Sequence, residues 1–153
     1  MKGMRESNIP VPSAFKSAAQ FIINTDLHRF FLQEDLNIKE LKRLARELKE
    51  WGFDIENEQS FKLAASERIF YEIQKIAFAD FSLEKLDMLN QIFDTLSTIS
   101  VELDIWKSQN LYFSMMNGFN KGEWVFSSDE WRNKFIKLGK YLKIRMIVKE
   151  VEA

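Results

Sequence analysis

The chain has 153 residues, 46% hydrophobic and 29% charged, the composition and size of one ordinary globular domain. Its 22 Lys and Arg against 23 Asp and Glu leave a net charge of −1, which argues against a wholly basic nucleic-acid binder. The lack of cysteine excludes a disulfide scaffold, a thiolate zinc site, an iron–sulfur cluster and a cysteine nucleophile.

Two prolines and five glycines are too few for the many turns of an all-β domain, so the sequence predicts an all-α bundle of five to six helices. Residues 1–10 read as a flexible lead-in and 11–153 as the helical bundle domain. Pro12 or Ser13 opens a first helix, in which Phe15, Ala18, Ala19 and Ile22 recur at helical spacing. Asn24-Thr25-Asp26 is a candidate interruption, after which Leu27, Phe30 and Phe31 carry the apolar stripe to about Leu32. The second helix is sharply amphipathic. Ile38, Leu41, Leu44, Ala45, Leu48 and Trp51 share one face, Lys39, Lys42, Arg43, Arg46 and Lys49 take the others, Asn37 caps the start and Gly52 the end.

A third helix is expected from Glu58 to about Ala79, with Phe61, Ala64, Ala65, Ile69, Ile73, Ile76 and Ala77 on a broad apolar surface suited to the middle of a bundle. Ser82 caps a fourth, about 83–99, carrying Leu86, Leu89, Ile92, Phe93, Leu96 and Ile99. Asp104 is the expected N-cap of a fifth, Ile105 to about Asn117, with Trp106, Gln109, Tyr112, Phe113 and Met116 inward and Gly118 as its stop. Residues 118–127 form a structured loop. Ser127 with Glu130 offers a capping box for a sixth helix that turns Trp131, Phe135, Leu138 and Tyr141 inward. Residues 143–151 are read as a helix tail. Nothing resembles a signal peptide or a membrane span, so a cytoplasmic protein without membrane contact is expected.

Few residues offer chemistry. His28 is the single imidazole; its plainer reading is a satisfied helix histidine, since a metal site built on it would need carboxylates and only Asp26 lies close in sequence. A Ser-His-Asp triad would need His28 without any GxSxG, and a four-helix carboxylate metal site would need Glu-x-x-His, which is absent. Glu56 with Glu58, Glu102 with Asp104, and Asp129 with Glu130 are adjacent carboxylates of the kind that solvated helix ends carry. No glycine spacing fits a phosphate loop. No catalytic residue, metal ligand or cofactor is expected. Arg132, Lys134, Lys137, Lys140, Lys143, Arg145 and Lys149 form an acid-free basic run, either a solvated helix back or a face for phosphate or an acidic partner.

The most distinctive stretch is Leu103-Asp104-Ile105-Trp106-Lys107-Ser108-Gln109-Asn110-Leu111-Tyr112. An amide one turn from each of two aromatics either ties its helix to a neighbouring backbone or faces a polar ligand. Trp106, Gln109, Asn110 and Tyr112 are therefore candidate ligand-binding residues, joined by Trp124 in the 118–127 loop.

Three stretches together resemble a known domain. They are Val11-Pro12-Ser13-Ala14-Phe15 through Asn24, Val101 through Tyr112 with its Trp-x-x-Gln-Asn, and Trp131 through Leu142. The chain resembles, from about Ile9 to Arg145, the helical domain of unknown function that follows the catalytic domain in proteins related to glycoside hydrolase family 57. The resemblance implies a setting: a barrel-like domain carries the carboxylates that cleave or transfer α-glucan linkages, and the helical domain packs on it and can border its cleft. This chain holds no such barrel, so no catalytic residue is carried over. Three expectations follow. The first is a non-catalytic accessory domain with a barrel or other partner protein and an α-glucan nearby. The second is a helical protein-interaction module with a basic C-terminal face, unrelated to carbohydrate. The third is an enzyme using carboxylates inside the bundle.

Overall fold

The computed structural model describes residues 12–78 and 81–144. The described residues form six helices: α1 Ser13–Phe30, α2 Ile38–Trp51, α3 Glu58–Phe78, α4 Leu83–Thr98, α5 Trp106–Asn120 and α6 Asp129–Tyr141. No strand occurs among them. The lead-in 1–10 and the end of the expected tail, 145–151, lie outside the described residues.

The helices stack as two layers of three. In one, α3 lies between α1 and α5; in the other, α4 lies between α2 and α6. The layers join where α1 meets α2 and α3 meets α4, and where Tyr112 of α5 stacks on Phe135 of α6 with ring centroids 4.3 Å apart. Leu27 and Phe30, Leu44, Phe61 and Ile73, Leu89 and Ile92, Tyr112, and Trp131 bring all six helices into one apolar core. The broad apolar surface expected for α3 is met by its central place, against α1, α4 and α5.

Local signals account for most helix ends. The Asn37 side chain accepts from the Lys39 amide, and Gly52 takes the left-handed conformation while Phe53 N–H closes back on Leu48 O at 3.0 Å. Ser82 Oγ accepts from the Lys85 amide at 3.4 Å. The sixth helix starts one residue later than expected, because Ser128 rather than Ser127 accepts from an amide, that of Trp131, at 3.0 Å. The fifth runs past Gly118, which sits buried within α5; the turn at Gly122, φ +75°, ends it instead. Asp104 Oδ1 accepts from the Trp106 amide at 3.4 Å, although the cap position itself belongs to Ile105. The sixth helix ends at Tyr141, with Lys143 left-handed and Ile144 N–H bonded to Gly139 O at 2.9 Å, so 143–144 are not helix.

The first helix departs furthest from its expected pattern. It runs unbroken through Asn24, and its buried face is Ala19, Ile23, Asn24, Leu27 and Phe30, whereas Phe15 and Ile22 are exposed. Leu32 lies beyond its end and is exposed. Asn24 is kept inside by tertiary bonds: its amide nitrogen donates to Gln20 O and Asp54 O, and its oxygen accepts from the Glu56 amide at 2.8 Å. A polar residue with every group partnered costs the core little. The fit of Asn24 therefore sets the rotation of α1 against the loop before α3.

Candidate functional site

The N-terminal ends of α3 and α5 flank a cleft of about 480 Å³. Gln59, Ser66 and Glu67 of α3 face Glu102, Asp104 and Trp106 across it. The two helices run side by side in the same direction, since Lys107 in the first turn of α5 meets Glu67 midway along α3, and Phe81, just past α3, meets Phe119 near the end of α5. A helix-to-helix ion pair, Lys107 Nζ to Glu67 Oε1 at 3.2 Å, ties the cleft walls, and the same ammonium lies 6.0 Å from the Phe70 ring. Lys62 pairs with Glu58 at 3.5 Å. Both lysines of the lining are therefore engaged, while Glu102 and Asp104 add carboxylate acceptors. Ser66 Oγ, shut off from solvent in the wall, has no hydrogen-bond partner among the described residues.

Trp106 stands at the edge of this cleft with 55% of its surface exposed. It opens the first turn of α5, where the spacing Trp106, Asn110, Phe113 defines an outward face. Leu63 and Phe78 of α3 and Phe113 of α5 are likewise exposed, so the outer surface of the α3–α5 pair is rich in apolar side chains. Single exposed apolar residues are ordinary; several on two adjacent helices are a surface that a partner can cover.

The other predicted residues lie elsewhere. Gln109 Nε2 donates to Leu142 O at 2.8 Å, fastening α5 to the end of α6. Tyr112 is fully buried, donates its hydroxyl to Phe135 O at 2.7 Å, and has its phenol pushed well above the usual tyrosine range by burial. Asn110 is exposed beside Trp106 on the outward face of α5. Trp124 packs at the opposite end of α5: its ring lies against Gly118, where a Cβ would stand 3.1 Å from it, and contacts Phe81 and Phe119 edge-on. The structure thus puts Trp106 at the cleft and gives Gln109, Tyr112 and Trp124 packing and tethering contacts.

His28 Nε2 lies 2.6 Å from Glu56 O, and its ring meets Phe61 edge-on, the satisfied helix histidine of the plainer reading. Among the described residues no group of three His, Asp or Glu side chains gathers to hold a metal ion. The basic run is partly engaged: Lys134 Nζ binds Asp87 Oδ1 at 2.6 Å, a bond that lowers the Asp87 pKa, and Arg132 lies over the Phe126 ring. Arg145 and Lys149 fall outside the described residues. No described helix is long and apolar enough to cross a membrane. No protein-family model, curated protein or solved structure matches the chain.

The α3 side of the cleft escapes a sequence reading. Gln59, Lys62, Ser66 and Glu67 are ordinary polar helix residues until α5 is laid beside them. Glu102 and Asp104 carried the one available signal, as adjacent carboxylates next to the Trp106 stretch.

Proposed function

We propose that this chain is a non-catalytic accessory domain whose α3–α5 face docks on a partner and whose cleft borders an α-glucan. The observation that carries the reading is Trp106, a half-exposed indole at the edge of a cleft lined by carboxylates, an amide and two ion-paired lysines. A sugar ring presents apolar C–H groups on its face and hydroxyls at its rim. An indole face suits the first, and mixed acceptors and donors suit the second. The cleft lining holds three carboxylates and two ammonium groups, a near-balance that favours a neutral ligand over a strongly charged one. The exposed Leu63, Phe78 and Phe113 give that face apolar side chains that a docked partner would cover. The partner is a catalytic barrel of the kind implied by the resemblance to the helical domain of glycoside hydrolase family 57 relatives. Under this reading the chain supplies binding and shape, and the reacting carboxylates belong to that partner.

The test is thermal unfolding of the chain with and without malto-oligosaccharides. A ligand bound only by the folded state adds about 2.7 kcal/mol of stability at a hundredfold excess over its dissociation constant. The expected result is a rise in Tm that Trp106→Ala abolishes while leaving helicity intact. An unchanged Tm at millimolar sugar, or a shift that survives Trp106→Ala, overturns the reading.

A further inference from the structure

The layer opposite Trp106 carries a different chemistry. In α2, Lys42, Arg46 and Lys49 recur at steps of four and three residues and are all exposed. With Ala45, and with Asp94, Thr95 and Thr98 of α4, they line a groove of about 350 Å³. The neighbouring cation of α2 is handled otherwise: Arg43 takes both Glu40, at 2.6 Å, and Glu47, at 3.0 Å. Those two acids are thereby withdrawn from the groove side of the helix. Lys42 donates to the Gln91 side-chain oxygen at 2.7 Å. The Arg46 and Lys49 side chains make no hydrogen bond or ion pair among the described residues.

Like charges one turn apart weaken a helix slightly, so the fold gains nothing from this arrangement by itself. The groove's one carboxylate, Asp94, accepts from the Tyr141 hydroxyl at 3.0 Å and keeps further lone pairs open. The Thr95 and Thr98 hydroxyls are already bonded to Gln91 O and Thr95 O. What remains is three cations strung over about 10 Å of helix, with one acceptor beside them.

We propose that the α2–α4 groove receives an acidic peptide segment of a partner protein, whose carboxylates meet Lys42, Arg46 and Lys49. Charge complementarity selects an anion, and a guanidinium binds a carboxylate with two parallel bonds. Asp94 selects among anions. A peptide offers it backbone N–H donors, whereas a phosphodiester backbone offers only negative oxygens. The groove belongs to the α2–α4–α6 layer and stands apart from the Trp106 cleft, so this inference does not rest on the carbohydrate reading.

The experiment is fluorescence anisotropy of a labelled hexaglutamate peptide titrated with the full chain, beside a labelled hexathymidylate. Saturable binding of the peptide is expected, weakening roughly tenfold as salt rises to the level where the Debye length falls to about 8 Å. Reversing two groove charges, Arg46→Glu with Lys49→Glu, is expected to weaken it about tenfold or more, as loss of paired opposite charge at an interface does. Reversing two exposed charges outside the groove lining, Lys16→Glu with Lys121→Glu, is expected to leave it within about twofold, because neither side chain lines the groove and exposed charges without direct contact are strongly screened. Should the groove reversal reduce helicity, Arg46→Gln with Lys49→Gln makes the same comparison by neutralisation. Absence of peptide binding, equal loss in the Lys16/Lys121 variant, or tighter binding of hexathymidylate overturns the proposal.

Discussion

The two ends of α5 use tryptophan in opposite ways. At its C-terminal end Trp124 lies against Gly118 and Phe119, and Trp131, 1% exposed, stacks on Phe135 and donates its indole N–H to Phe81 O. At its N-terminal end Trp106 faces solvent above a polar cleft. Fourteen phenylalanines and four tryptophans in one chain invite a search for a binding site. Aromatic content alone does not locate one: the densest aromatic cluster is core, and the candidate site is the isolated indole that the core leaves out. What separates them is the partner surface: the Gly118 notch and the neighbouring phenylalanines at one end, carboxylates and paired lysines at the other.

That contrast can be broken by substitution. The largest effect is expected at the packed end, where Trp131→Ala removes a fully buried ring and an indole hydrogen bond and should cost about 3 to 5 kcal/mol in chemical unfolding. Gly139→Ala comes next. A Cβ there would stand 2.4 Å from the Tyr112 hydroxyl and 2.8 Å from its ring carbon, which forces the Tyr112–Phe135 stack to shift, so a loss of about 1 to 3 kcal/mol is expected. Tyr112→Phe keeps the ring but leaves the Phe135 carbonyl without its hydroxyl donor, at a cost of about 1 kcal/mol near neutral pH.

Tyr112 also gives the comparison a pH signature. Burial raises its pKa above the ordinary phenol value of 10.0, so the folded state holds the proton more tightly than the unfolded chain. The stability linked to that proton is whole below the unfolded value and is lost as pH rises through the folded one. Wild-type stability should therefore fall more steeply than that of Tyr112→Phe above pH 10.0, narrowing the gap between them. Equal slopes would place the phenol in contact with solvent. The smallest effect is expected at the open end: Trp106→Ala should change stability by no more than about 0.5 kcal/mol, because its exposed side chain lies outside the core and the first turn uses only its backbone amide, which the substitution keeps. A larger loss would make Trp106 a core residue and remove it as a site.

The fold was largely legible because α2, α4 and α6 carry strong amphipathic patterns and side-chain caps, read directly from Asn37, Ser82 and the serines before α6. The periodicity of α1 misleads because a tether outside it rotates the helix. Asn24 is drawn inward by the Asp54–Glu56 backbone, and Phe15 and Ile22 are left outside. Gly118 was misread as a stop because a glycine that admits a neighbouring ring looks, in sequence, like one that ends a helix. From Trp106 to Phe113 the spacing correctly grouped Gln109 and Tyr112 on the side toward α6 but carried Trp106 and Phe113, both exposed, with them. An exposed first-turn position and a buried one differ by the arrival of α3 and α6, which the stretch itself does not encode. The cleft and the α2–α4 groove are each built from two helices distant in sequence, so their polar residues were visible without being visible as sites.

The central claim is that Trp106, and none of the packed aromatics, meets a carbohydrate. Four tryptophans give four indole N–H signals in a ¹⁵N correlation spectrum. On titration with maltoheptaose, the Trp106 signal, assigned by its loss in Trp106→Ala, should move saturably while the Trp124 and Trp131 signals stay in place. A Trp106 signal unmoved by the sugar, or one that moves together with all the others, would contradict the account.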